Sequence, residues 1–141
     1  MKLYRGYKTQ PVFLTEELEK EFRDLQSKFD EDDLPKDQIK RFKELREIAV
    51  GQFFTDNKKI ARDFAEGNGF LVEIDIEDKM AFDHYAGEHS MAPGSKLQLS
   101  SNFVFYGQEL AKNTKAWNIR IASLENERGE IKNSLPKLPL R

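Results

Sequence analysis

Residues Phe70 to Glu77 read FLVEIDIE, and this alternation constrains the fold more than any other stretch of the chain. Phe70, Val72, Ile74 and Ile76 fall on one side of an extended backbone, and Leu71, Glu73, Asp75 and Glu77 on the other. A period of two with one apolar set predicts a strand half-buried in a sheet, with the acidic side turned to solvent. Partner strands must then be found elsewhere in the sequence. The two acids Glu73 and Asp75 also admit a reading as a carboxylate dyad, although the alternation makes a solvated face the simpler one.

The segments before this strand carry a helical period instead. Leu14, Leu18, Phe22, Leu25 and Phe29 are spaced three or four apart, which predicts one helix face with Thr15 as its N-cap. The acidic run Asp30 to Asp33 stops that helix, because like charges crowd its negative C-terminal pole. Pro35 suits the first position of a second helix, with Ile39, Phe42, Leu45, Ile48 and Ala49 inward and Gly51 as a left-handed stop. A short strand is expected at Gln52 to Thr55, then an Asp56 cap and a third helix burying Ile60, Ala61, Phe64 and Ala65, ended by Gly67-Asn68-Gly69.

After Glu77 the pattern loosens. Asp78 to Gly94 reads as a long loop with one helical turn, LQLSSNFVFYG as two short strands or one bent strand, and QELAKNTKA as a short helix or turn. WNIRIASLE reads as a strand, Asn126 to Glu130 as a turn, and residues 131–141 as a loosely held tail behind a single domain spanning 1–130. Helices first and strands later make an α+β domain.

Length and composition narrow the chemistry. The 141 residues suffice to bury a core without staples, and the absence of cysteine removes disulfides, thiolate zinc sites and a cysteine nucleophile. With 23 Lys and Arg against 25 Asp and Glu, the formal charge of -2 gives no global field for nucleic acid, so an anion must be bound locally. His84 and His89 are too few and too unevenly spaced to suggest a metal centre. No signal peptide and no run of about eighteen apolar residues is seen, which leads to the expectation of a cytoplasmic protein without a membrane span, with delivery into a target cell left open.

Four stretches, LYRG at Leu3 to Gly6, FFTD at Phe53 to Asp56, FLVEIDI from Phe70 and SSNFVFYG from Ser100, occur in an order that resembles the ADP-ribosyltransferases of the arginine–serine–glutamate type. The resemblance covers roughly Leu3 to Ala111. It implies two mixed or antiparallel sheets clasping an NAD cleft, with N-terminal helices packed on one side. It also implies that NAD is a co-substrate whose ADP-ribose passes to a macromolecular acceptor, with a protein more in keeping than a nucleic acid.

By the same resemblance Arg5, flanked by Tyr4 and Gly6, takes the place of the arginine that holds a phosphate or ribose of NAD. A guanidinium suits that task because it offers a planar fork of donors and keeps its charge. Thr55 is what remains of the serine–threonine–serine motif, and Phe53 or Phe54 would pack on nicotinamide, Phe54 being the residue assigned. Asn102 falls where the family carries its glutamate, with Ser100 two residues before it. Asparagine can bond a ribose hydroxyl but cannot offset a developing cation. Glu109 is the alternative acid, although its place at a helix start also gives it a capping role.

Plainer readings stand beside these. Arg5 could be a surface arginine, Thr55-Asp56 only a helix cap, and the phenylalanines only core, since the chain has eleven. Loss of the glutamate also leaves open a module that binds NAD or a protein partner without turnover.

Overall fold

The computed structural model describes residues 1–30, 34–66, 68–89 and 100–124. Residues 31–33 of the acidic run, Gly67, residues 90–94 of the long loop, the turn near Gly129 and the 131–141 tail lie outside the described residues. The chain forms β1 (Lys2–Tyr7), α1 (Glu16–Asp30), α2 (Lys36–Ile48), β2 (Gln52–Thr55), α3 (Lys58–Phe64), β3 (Phe70–Asp75), α4 (Asp78–Phe82), β4 (Tyr85–His89), β5 (Ser100–Phe105), α5 (Gly107–Lys112) and β6 (Arg120–Ser123). The α+β expectation therefore holds.

All six strands join one open sheet in the order β4-β5-β2-β1-β3-β6, and every strand pair is antiparallel. The expected pair of mixed sheets is corrected to a single sheet that is nearly divided. β1 pairs with β3 from Lys2↔Asp75 to Tyr7↔Phe70, and β2 with β5 from Gln52↔Phe105 to Thr55↔Asn102, whereas β1 meets β2 only at Tyr4↔Thr55. Two three-stranded halves thus hinge on one pair.

The main core lies on one face, where Leu3, Tyr7, Phe54, Val72, Ile74, Phe103, Phe105, Leu110 and Trp117 pack together. Phe54 meets Phe105 edge to face, with ring centroids 5.6 Å apart. α3 covers part of the opposite face, burying Ala61 and Ala65 against Leu71, Ala122 and Leu124. α3 approaches so closely that a Cβ on Gly6 would lie 1.8 Å from the Ala61 carbonyl oxygen. Gly6, expected beside the cofactor, is thus required first for packing.

α1 and α2 form a hairpin with its own apolar cluster, Leu14, Phe22, Leu25, Phe42, Leu45 and Ala49, in which Phe22 and Phe42 stack at 5.5 Å. Thr15 caps α1 as expected, its hydroxyl accepting from the Leu18 N–H. Pro35 sits at the N-cap of α2, one position before the place expected. Ile48 and Phe29, expected inward, are 38 % and 39 % exposed: both lie in the last turn of their helices, where Phe29 stacks one face on Phe42 of the partner helix at 5.0 Å and leaves the other open.

Other local expectations are corrected. Asn57, not Asp56, caps α3: its side chain accepts from Lys59 and Ile60, while the Asp56 carboxylate accepts from the Ser101 N–H. Phe64 is 68 % exposed, since α3 is a short helix that buries only its alanine edge. Gly51 has φ +140 but stands past the end of α2, where it leads into β2 together with Gln52 at φ 80. The loop expected after Asp78 contains α4 and the edge strand β4, whose sequence YAGEH shows no alternation and whose register shifts between Tyr85 and Gly87.

β3 differs most from expectation. Glu73, placed on a solvated side, is 3 % exposed and ion-paired with Arg120 of the neighbouring strand. Ala61, Ala65, Ala122 and Leu124 pack around Leu71 and the Arg120 side chain lies against Glu73, so both sides of β3 are buried. The pairing also ends the dyad reading, because Glu73 is engaged with a cation.

Candidate functional site

Where β1 and β2 part, they leave a cleft of about 280 Å³ lined by Tyr4, Arg5, Gly6, Arg46, Phe53, Phe54, Thr55, Ile60, Ala61, Phe64 and Asn102. Ladder partners opposite one another face the same side of a sheet. The pairs Asn102↔Thr55, Thr55↔Tyr4, Tyr4↔Glu73 and Glu73↔Arg120 therefore set five side chains in one row across β5, β2, β1, β3 and β6. The cleft opens beside the Asn102–Thr55–Tyr4 half of that row.

Arg5 sits in the gap itself. Its Nη1 donates to the Phe53 carbonyl at 2.8 Å, substituting for a ladder bond that β1 and β2 do not make, and its guanidinium carbon lies 5.2 Å from the Tyr7 ring centre. Arg5 Nε is buried with no hydrogen-bond partner among the described residues. A buried N–H without a partner is costly, and Arg5 carries one where it lines the cleft. Beneath it, the Tyr7 hydroxyl accepts from the Gly51 N–H at 3.1 Å. Burial raises the Tyr7 pKa above its ordinary value, and the Arg5 charge, the Gly51 bond and a side-chain bond with Arg5 only partly oppose this, which keeps the phenol neutral.

Thr55 is buried, and its Oγ1 accepts from the Asn57 N–H at 3.0 Å, which leaves the hydroxyl proton for another acceptor. Tyr4 has its pKa raised by burial first, then by the charges of Glu73 and Asp75, with Arg120 opposing. It is therefore a neutral hydroxyl donor in the same row.

Of the residues singled out from sequence, Tyr4, Arg5, Gly6, Phe54, Thr55 and Asn102 come together around this cleft. Two assignments are corrected. The Phe54 ring is 0 % exposed and packs in the core, while Phe53, one residue earlier on the opposite face, is 49 % exposed and presents the ring that can stack. Glu109 is not a lining residue: its carboxylate is 2.7 Å from His84 Nε2. His84 stacks on Phe105 at 4.5 Å and bonds the Met80 carbonyl through Nδ1. Burial lowers the His84 pKa, but the bonds to Glu109 and Met80 and the charges of Glu109 and Asp83 outweigh it, so the net shift is upward.

Arg46, Ile60 and Phe64 are lining residues that sequence reasoning missed as site residues. Arg46 stands in the last turn of α2, where a cation reads as a partner for the helix dipole, so nothing local marked it. Among the described residues no carboxylate is ion-paired with it. Among the described residues none that lines the cleft is a carboxylate either. Among the described residues no group of three or more His, Asp or Glu side chains is placed to hold a metal ion, and no helix is long and apolar enough to cross a membrane.

The lining therefore offers two guanidiniums, an exposed aromatic ring at Phe53, and hydroxyl and amide groups at Tyr4, Thr55 and Asn102. No family model, curated protein or solved structure matches the chain.

Proposed function

We propose that the cleft binds NAD and that the protein is ADP-ribosyltransferase-like, moving ADP-ribose from NAD to a protein acceptor. The observation that carries this reading is the meeting of Arg5, Thr55 and Asn102, from three separated segments, at the single pair joining the two sheet halves.

Under this reading Arg5 and Arg46 hold the diphosphate, Phe53 packs on the nicotinamide, and Thr55 and Asn102 orient the reacting ribose. The bond from the ribose anomeric carbon to nicotinamide breaks with its electron pair leaving on nicotinamide, and the acceptor's nucleophile bonds to that carbon and gives up its proton. The chain's contribution is positioning and the exclusion of water from a site walled by Phe53, Ile60 and Phe64.

A second reading is favoured by a specific observation, the absence of a carboxylate among the lining residues. With no negative charge beside the developing cation, the same cleft would serve a module that binds NAD and turns it over slowly or not at all. Asn102→Glu separates the two. The substitution supplies about 2–4 kcal/mol of barrier lowering, so nicotinamide release should rise on the order of 10²–10³-fold if Asn102 stands at the ribose. Fast turnover by the parent that is unchanged in Asn102→Ala would remove Asn102 from the reaction. Failure of the folded parent to bind NAD in calorimetry would overturn both readings.

A further inference from the structure

The cleft does not end at Arg5. A second, more open hollow of about 410 Å³ is lined by Arg5, Gly6, Tyr7, Lys8, Lys43, Arg46, Glu47 and Phe64, and it shares Arg5, Gly6, Arg46 and Phe64 with the first. At about 280 Å³ the first cavity falls just below the roughly 300–1,000 Å³ spanned by ligand sites, so a dinucleotide seated beside Thr55 and Asn102 must continue past Arg5 into the second.

The charges there exceed what a diphosphate needs. Four cations face one carboxylate, Glu47, in a chain whose net charge is -2. Arg5 and Arg46 suffice for the two charges of the bridge. Lys8 is 3.2 Å from Glu66, which leaves Lys43, one helical turn before Arg46 on the same side of α2, without an ion-paired carboxylate among the described residues. A phosphate monoester carries about -1.5 to -2 charges near neutral pH and matches this surplus, whereas an unphosphorylated ribose does not.

We propose that the second hollow is a phosphate-monoester subsite centred on Lys43, so that the preferred dinucleotide carries an extra phosphate on its adenosine ribose, as NADP does. The inference rests on the dinucleotide reading of the cleft. A polynucleotide fits less well, because the cations are confined to one hollow that Glu47 interrupts in an acidic chain.

Calorimetric titration of NAD and NADP into the parent, Lys43→Gln and Lys43→Glu, all near physiological salt, tests it. The parent should bind NADP about ten-fold tighter than NAD, the gain expected from one charge-assisted contact; Lys43→Gln should lose that preference while keeping the parent's NAD affinity, and Lys43→Glu should lose it with weaker binding of both dinucleotides. Equal affinities in the parent, or a preference that survives both substitutions, overturn the subsite and leave NAD binding standing. Binding of neither dinucleotide overturns the cleft reading together with this one. A single-stranded oligonucleotide that binds the parent but not Lys43→Glu, with no preference between the dinucleotides, assigns the hollow to nucleic acid and overturns the monoester subsite.

Discussion

β2 and β3 are neighbours of the same strand, β1, yet their outer faces meet opposite fates. On β3, Leu71 is buried among Ala61, Ala65, Ala122 and Leu124, and Glu73 beside Arg120. On β2, Phe53 stands 49 % exposed at the mouth of a cleft, although it is more apolar than the glutamate that is buried. Apolarity therefore does not decide which side chain is covered. What decides is which side chain stands opposite: Arg120 of β6 reaches over Glu73, whereas the residues around Phe53 leave a cleft between them.

The sharpest way to break the comparison is to remove the cover from β3. Arg120→Ala leaves the Glu73 carboxylate buried without its cation and should cost about 3–5 kcal/mol in chemical denaturation. Replacing both residues with leucine should recover most of that loss, since an apolar pair of similar volume avoids the desolvation of both charges. A single variant as stable as the parent would mean that water reaches Glu73.

Adjacent phenylalanines test β2 itself. Phe54→Ala opens a cavity among Phe103, Phe105 and their neighbours and should also cost about 3–5 kcal/mol. Phe53→Ala should stay within about 0.5 kcal/mol of the parent in the same measurement, as exposed substitutions do. The Phe53 variant should instead lose about 1–3 kcal/mol of NAD binding, the range for stacking a flat base on an aromatic ring. A reversal of the two stability effects would put the faces of β2 the wrong way round.

Arg5→Ala should weaken NAD binding by roughly ten-fold or more, about 1.5–3 kcal/mol, and Arg5→Lys should not restore it, because an ammonium lacks the planar fork. Unchanged affinity in both variants would make Arg5 only the strut that replaces a missing ladder bond.

The smallest effect belongs to the far side of β2, where His84 and Glu109 pair. The His84 pKa is raised above 6.5, so the stability it contributes is full below pH 6.5 and is lost as pH rises through the folded value. Thermal melts of the parent should therefore fall more between pH 6 and 8 than those of His84→Gln. The difference should be less than about 1 kcal/mol, as both partners are partly exposed. Identical profiles would show that the pair adds nothing.

Much of the fold was legible because local chemistry announced it. The 3.6-residue spacing gave α1 and α2 and most of their buried faces, and Thr15 was identifiable as a cap. The alternation gave β3. β4 was missed because an edge strand with a bulge needs neither alternation nor β-branched residues. In the cleft, Arg5, Thr55 and Asn102 were found by their order along the chain, whereas Arg46 and Lys43 look like ordinary cations on a solvated helix. Their meaning comes only from what stands opposite them.

The sequence by itself determined that α1, α2 and α3 are helices and that β2, β3 and β6 are strands, and which side of most of them is apolar, since those properties depend on neighbours within a few residues. Only the tertiary structure decided that Glu73 is buried and Phe53 open, that Phe54 turns to the core, that Glu109 belongs to His84, and that β1 and β2 part after one pair. Each of these depends on a residue from another segment: Arg120 lies 47 positions from Glu73, and Arg5 reaches 48 positions to the Phe53 carbonyl. Such contacts form when distant elements pack, and no local period encodes them.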